Sequence, residues 1–180
     1  MRFALALFFA AIAFGAESAA TEAERVAPYY PSPRAVVLEM LDAAELQPGE
    51  LLVDLGSGDG RIVILAARDY GVRAVGYELE DSLVRSSRRQ IDELGLSELA
   101  QIRQQDLFTA ELADADVVTL YLLPRAMKRL EPILQKTLKP GARVIAHDFA
   151  FPNWKPEKTI PIDDDQELDG LPHTVYVYKR

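Results

Sequence analysis

The densest chemistry in the chain lies in Asp54-Leu55-Gly56-Ser57-Gly58-Asp59-Gly60-Arg61. Glycines at 56, 58 and 60 free the backbone for positive φ and let a ligand approach without a Cβ in the way. A dinucleotide fingerprint needs a further glycine at position 61, where Arg61 stands instead. Dinucleotide folds also seat pyrophosphate on the exposed N–H groups of a helix start. Here Asp54 and Asp59 place two carboxylates in the loop, which repel a diphosphate and suit an ammonium or sulfonium cation. Glu78, in Gly76-Tyr77-Glu78-Leu79, is positioned to accept both hydroxyls of a ribose. Asp106, in Gln105-Asp106-Leu107, is a partner for an exocyclic adenine amine, with Leu107 against the ring. Singly, Asp59 reads equally as a helix cap, Glu78 as solvated surface and Asp106 as a turn residue. The three acidic positions follow three successive strands, however, and this order favours a ligand site.

Those positions need a particular set of elements. Tyr29-Tyr30-Pro31-Ser32-Pro33 reads as a rigid extended lead-in, because each proline biases its predecessor away from helix. Val36, Val37, Met40 and Leu41 recur at helical spacing, and Pro48-Gly49 is expected to stop that helix. Leu51–Leu55 is a buried strand that ends in glycines, and Ile62–Asp69 is a helix closed by Gly71. Arg73–Leu79 is the second strand, and a helix then runs from Asp81 or Ser82 to about Gly95. Ala100–Gln105 and Asp116–Leu123 are the third and fourth strands, Pro124–Leu138 a helix and Arg143–Phe149 the fifth strand. Ile160 with Ile162, and Thr174–Tyr178, read as two further strands around the acidic loop Asp163–Asp169. The expected fold class is α/β: a Rossmann-like, doubly wound, mostly parallel sheet closed by a C-terminal antiparallel hairpin. Its ligand crevice lies at the carboxyl ends of the first strands.

Composition narrows the chemistry. The 180 residues include no cysteine, which excludes disulfides, thiolate metal sites and a cysteine nucleophile. Only two histidines occur, His147 and His173, so no metal site is expected. A formal charge of −8 disfavours broad nucleic-acid binding, and no nucleic-acid partner is expected. The first residues differ from the rest. Arg2 precedes an apolar run from Phe3 to Ala16, and Ser18-Ala19-Ala20 offers small residues for a cleavage site. The run is shorter than the ~20 residues of a bilayer span, so a secretory signal is favoured over an uncleaved membrane anchor.

The ordered set resembles a class I S-adenosyl-L-methionine-dependent methyltransferase. Asp54 to Gly60 resembles that family's motif I, Glu78 its ribose-binding acid and Asp106 its adenine-side acid. The resemblance implies that Asp54, Gly56, Ser57, Gly58, Asp59, Gly60, Glu78, Asp106 and Leu107 bind the cofactor. Several subclasses disagree with the chain. Enzymes that methylate planar amines carry Asn/Asp-Pro-Pro-Tyr/Phe after the fourth strand, where this chain has Tyr121-Leu122-Leu123-Pro124. Cytosine C5 methylation needs a cysteine, and Asp116 with Asp148 makes a poor metal set for catechol methylation. The run Asp54–Val63 with Gly76–Leu79 is similar to the small protein-lysine methyltransferases of the adenine nucleotide translocase and the ATP synthase c-subunit. Pro28-Tyr29-Tyr30-Pro31, Asp106-Leu107-Phe108, Arg143–Ala146 and Phe149–Trp154 also resemble segments of that family; His147-Asp148 departs from it. The implied organisation is a signal-like or anchor segment (1–20), a pre-motif with the N-terminal helix (21–50) and a cofactor-binding methyltransferase domain (51–180).

Methyl transfer from sulfonium to amine is an in-line displacement, so alignment supplies most of the gain, roughly 7–11 kcal/mol for well-oriented groups. A lysine must be neutral to attack, and an apolar entrance helps by depressing its pKa. Tyr29, Tyr30, Phe149, Phe151 and Trp154 are candidates for that entrance, with plain packing as the alternative for the aromatics. Asp148 or His147 is a candidate to take a proton or orient the amine. The expected catalytic set is therefore Tyr29, Tyr30, Asp148 and Trp154. The expected partner is a protein with an exposed lysine, a membrane protein among the options, met by a monomer with possible membrane attachment through residues 3–16. Export or anchoring by that segment conflicts with the cytosolic supply of the cofactor. A small-molecule methyltransferase, a non-catalytic nucleoside-binding module and, more distantly, a nicotinamide oxidoreductase are the rival readings.

Overall fold

The computed structural model describes residues 29–162 and 170–180. The apolar run at 3–16, the small residues at 18–20, Pro28 and the acidic run at 163–165 lie outside the described residues. In chain order the elements are α1 (Arg34–Ala43), β1 (Leu51–Leu55), α2 (Arg61–Tyr70), β2 (Arg73–Glu78), α3 (Asp81–Glu93) and β3 (Ala100–Gln104). A 3-10 turn (Leu107–Thr109) leads to β4 (Val117–Leu120), α4 (Pro124–Thr137), β5 (Arg143–His147), β6 (Lys158–Ile162) and β7 (His173–Lys179). They build a seven-stranded sheet in the order β3-β2-β1-β4-β5-β7-β6. The first five strands run parallel, and β7 is antiparallel to both β5 and β6. The sheet is thus α/β, mostly parallel and closed by antiparallel strands at its C-terminal edge.

Alternation along each strand sorts the core into two layers. On one face Leu52, Ala74, Ile102, Val117, Ile145 and Val175 meet Val36, Val37, Met40 and Leu41 of α1 with the apolar sides of α2 and α3. On the other face Val53, Leu55, Tyr77, Val118, Leu120 and Val144 meet Met127, Leu130 and Leu134 of α4. Parallel strands covered on both faces must be apolar almost throughout, and β4 is buried at all four positions. The strand order reverses between β1 and β4, which opens a crevice beyond their carboxyl ends.

Several boundaries differ from expectation for local reasons. Helix α1 stops at Ala43 rather than reaching Pro48, because Glu45 adopts a left-handed φ of 51°. Strand β3 ends at Gln104, since Asp106 caps the 3-10 turn behind it. Strand β4 covers only 117–120: Asp116 turns aside to accept from Leu51 N, and Leu123 becomes the extended N-cap of α4 before Pro124. Strand β5 ends at His147 because Asp148 has φ 58°. No helix among the described residues is long and apolar enough to cross a membrane.

Candidate active site

The glycine loop leaves β1 and folds back over the end of β2. Gly56 N and Ser57 N both donate to Tyr77 O, at 2.9 and 3.0 Å. Gly58 N donates to Glu78 Oε2 (2.9 Å), Gly60 N to Ser57 O (2.8 Å) and Arg61 N to Asp59 Oδ1 (3.2 Å). A pyrophosphate cradle needs such amides free, and here they are spent inside the protein. Gly58 holds φ 53°, and a Cβ there would sit 2.7 Å from the Tyr29 ring, so the lead-in lies directly on the loop. Gly76 is needed for a different reason: its Cβ would fall 2.5 Å from Ser57 Oγ. That hydroxyl is buried and has no partner among the described residues. Buried polar groups are nearly always satisfied, so an orphan on the wall of a cleft is a place for a ligand atom.

The cleft is lined by Tyr29, Tyr30, Ser32, Asp54, Gly56, Ser57, Gly58, Asp59, Glu78, Leu107, Tyr121 and Leu122, among others. Asp54 is buried at the end of β1, where its register partner Thr119 donates to Oδ1 at 2.8 Å. Burial pushes the Asp54 carboxyl up to about 7; the Thr119 hydroxyl lowers it, while the charges of Glu78 and Asp59 raise it further. Glu78 is held by three amides: Leu79 N and Glu80 N on Oε1, both at 2.8 Å, and Gly58 N on Oε2. Oε2 therefore has the larger spare capacity for a ribose hydroxyl. Asp59 is neutralised instead, gripped by Arg61 from Nε (2.9 Å to Oδ1) and Nη2 (2.7 Å to Oδ2). Burial alone would raise the Asp59 pKa, but the bonds and charge of Arg61 prevail and hold it below the usual range. Arg61 Nη1 also donates to Ser32 O (2.7 Å), which straps the lead-in across the cleft. Of the loop's two carboxylates, then, Asp54 is the one without a cation of its own among the described residues.

The structure brings most of the sequence-derived cofactor and catalytic positions together, with four exceptions. Gly60 does not line the cleft: it is the N-cap of α2, at φ 78°. Asp106 is not in the cleft wall: its Oδ1 accepts from Phe108 N at 3.0 Å, capping the 3-10 turn, while Leu107 and Gln105 face the cleft. Trp154 packs on Phe151 and Tyr178, with ring centroids 5.5 and 5.3 Å away, on the far layer of the core. Asp148 stands behind the wall, its Oδ2 3.0 Å from His173 Nδ1 and its Oδ1 accepting from Thr174 N at 2.9 Å. Tyr121, in contrast, is not expected in the site from sequence. It lines the cleft with its ring on His147 (3.9 Å between centroids) and Phe149 (6.2 Å). Thr119 and Arg61 are further supports that sequence reasoning misses. A lone hydroxyl in the apolar run of β4 is the available signal for Thr119; Arg61 reads in the sequence only as a missing glycine.

The residues present fit a cationic nucleoside: an orphan hydroxyl at Ser57, a ribose acceptor at Glu78, an uncompensated buried carboxyl at Asp54 and an apolar wall at Leu107. Strand order and cleft together define a Rossmann-like S-adenosyl-L-methionine-dependent methyltransferase. Residues 54–158 match the ANTKMT methyltransferase domain. The chain is 40% identical over 152 residues to a protein-lysine N-methyltransferase of Saccharolobus islandicus, spanning 84% of this chain and 92% of that one. It is 45% identical over 108 residues to the mouse lysine N-methyltransferase of the ATP synthase c-subunit, covering 60% of this chain and 43% of that longer enzyme. The fold is similar to an RNA methyltransferase from Salinibacter ruber in complex with S-adenosyl-L-homocysteine, with TM-score 0.75 and 45% identity over 83% of this chain and 93% of that one. The chain belongs to the ANTKMT methyltransferase-domain family, S-adenosyl-L-methionine-dependent protein-lysine methyltransferases.

Proposed function

We propose that this cleft delivers a methyl group to the ε-amine of a lysine on a protein partner, with the amine entering between Tyr29, Tyr30 and Tyr121. The observation that carries the reading is the pairing of a buried carboxyl at Asp54, with no cation beside it among the described residues, with aromatic walls at one open mouth. When bound, S-adenosyl-L-methionine supplies an electrophilic methyl on a sulfonium. Asp54 would hold the cationic part of that molecule, Glu78 its ribose, Ser57 a polar edge and Leu107 the face of its base. Tyr29, which lies over Gly58, and its neighbour Tyr30 are both about half exposed at the mouth and would exclude water from the approach. The aromatic faces favour the lysine cation on arrival, and the apolar surroundings favour its neutral form once inside. The proton leaves to water at the mouth. Asp148 is proposed to act at a distance, by fixing the histidines beneath Tyr121, and Trp154 by holding the 149–154 segment.

The experiment is transfer of labelled methyl from the cofactor to candidate acceptors, read by mass spectrometry of tryptic lysines. Methyl-lysine on a protein acceptor, lost in Asp54→Asn, is the expected result. Label that passes a small-molecule filter, or that is retained on RNA but not on protein, would overturn it. RNA belongs in the panel because of the name given to the Salinibacter ruber relative, although the net charge of −8 opposes a polyanion. The proposed acceptor is an integral membrane protein, met by a monomer that residues 3–16 hold at the bilayer surface. Carbonate extraction of membranes tests the attachment: release of the chain into the soluble fraction would argue against it.

A further inference from the structure

Beside the cleft, and outside it, three donor atoms converge. His147 Nε2 lies 3.0 Å from His173 Nδ1 and 3.3 Å from Asp148 Oδ2, and His173 Nδ1 lies 3.0 Å from the same oxygen. Three atoms in a triangle cannot all be joined by hydrogen bonds. With a proton on each nitrogen, both N–H groups aim at one oxygen and the nitrogens face each other unbonded. With only one proton between the nitrogens, a lone pair on one atom faces a lone pair on another. A single cation capping the triangle satisfies all three atoms at once. The spacing also suits one: bonds of about 2.0–2.2 Å to a tetrahedral ion separate its donors by roughly 3.3 Å.

The surroundings are those of a built site. His147 is fully buried and His173 is 3% exposed. The far nitrogen of His147, Nδ1, lies 2.8 Å from Ser32 Oγ, which fixes the ring so that Nε2 points into the triangle. Ligating histidines characteristically engage such an outer partner through the other nitrogen. Asp148 is committed in the same way, since Oδ1 accepts from Thr174 N and leaves Oδ2 to the triangle. Its backbone sits at φ 58°, a conformation that costs energy for a non-glycine residue. That strain aims the carboxylate between two rings carried by adjacent antiparallel strands, β5 and β7.

We propose that His147 Nε2, His173 Nδ1 and Asp148 Oδ2 bind one divalent transition-metal ion of the zinc class. Two imidazoles and one carboxylate are a borderline donor set, suited to Zn²⁺ or Co²⁺ rather than to the all-oxygen preference of Mg²⁺ or Ca²⁺. The ion pins the ends of β5 and β7 to Ser32 of the lead-in and supports the Tyr121 ring from below. Its role is structural, because Tyr121 stands between it and the cleft. This departs from the expectation, drawn from a count of two histidines, that the chain holds no metal.

The test uses the full chain without a histidine tag, stripped with chelator and titrated with Co²⁺ and then with Zn²⁺. One Co²⁺ per chain with visible d–d absorption, displaced by one equivalent of Zn²⁺, is expected. The chain has only two histidines, so nitrogen-15 spectra hold four imidazole signals, and Nε2 of one ring and Nδ1 of the other should shift on Zn²⁺ binding. Asp148→Asn and His173→Gln should weaken Zn²⁺ by on the order of a hundredfold or more, read on protein whose circular dichroism matches the parent. Absence of stoichiometric Co²⁺ and Zn²⁺ binding by the parent chain overturns the proposal whatever the variants do. So does binding that leaves all four ring signals in place. Both readouts are independent of methyl transfer.

Discussion

Asp54 is buried at the base of the cleft, 3% exposed, and its carboxyl gains or loses a proton near pH 7. A cationic ligand needs the ionised form, so cofactor affinity should weaken by up to about tenfold per pH unit below 7 and level off above it. Calorimetry in buffers of different ionisation enthalpy will read the proton released at pH 6. Asp54→Asn should flatten the profile and cost about 3–5 kcal/mol of binding, by removing one partner of a buried charge pair. Thr119→Val, which deletes the hydroxyl that lowers the Asp54 pKa, should move the midpoint upward. Stability has the opposite dependence. Between about pH 4 and 7 the folded chain keeps a proton on Asp54 that the unfolded chain has shed, so this residue's contribution diminishes as pH rises and is constant above 7. Melting of Asp54→Asn relative to the parent should accordingly improve from pH 4 to 7. The acid itself was legible in the sequence. Its isolation was not, because only the fold reveals that Arg61 takes Asp59 away.

The lead-in and the glycine loop form one closed unit, with the Tyr29 ring resting where Gly58 lacks a side chain. Gly58→Ala adds a methyl 2.7 Å from that ring and forces alanine into a left-handed conformation costing roughly 1–2 kcal/mol. Cofactor affinity should fall about tenfold or more, and Tyr29→Ala in the same chain should return the part due to the clash but not the backbone part. A double-mutant cycle separates the two, and purely additive losses would mean that the ring does not rest on the loop. Periodicity located every parallel strand and every helix, since patterns of 2 and 3.6 survive in local sequence. It overran their ends. Glu45 and Asp148 take left-handed φ without being glycine, and nothing in their neighbours announces it.

Burial in the whole molecule is divided between two layers, so damage to one need not reach the cleft directly. Leu130→Ala, in the layer under α4, should cost about 2–5 kcal/mol in unfolding free energy measured by urea titration. The cofactor Kd of the remaining folded protein should be unchanged. Fold class and cofactor type could be read from the chain because they depend on contiguous motifs. The placing of Trp154 and Asp148 could not, since both depend on which face of the far sheet edge a side chain lands. Ser32 is the residue where separate parts of the molecule meet. Its carbonyl takes Arg61 from the glycine loop, and its hydroxyl takes His147 from the histidine cluster. A cation at the cluster and a nucleoside in the cleft would be thermodynamically linked if both act on Ser32 through these two neighbours, and linkage is reciprocal. Whatever factor a cation at the cluster applies to the nucleoside's dissociation constant, the nucleoside must apply to the cation's.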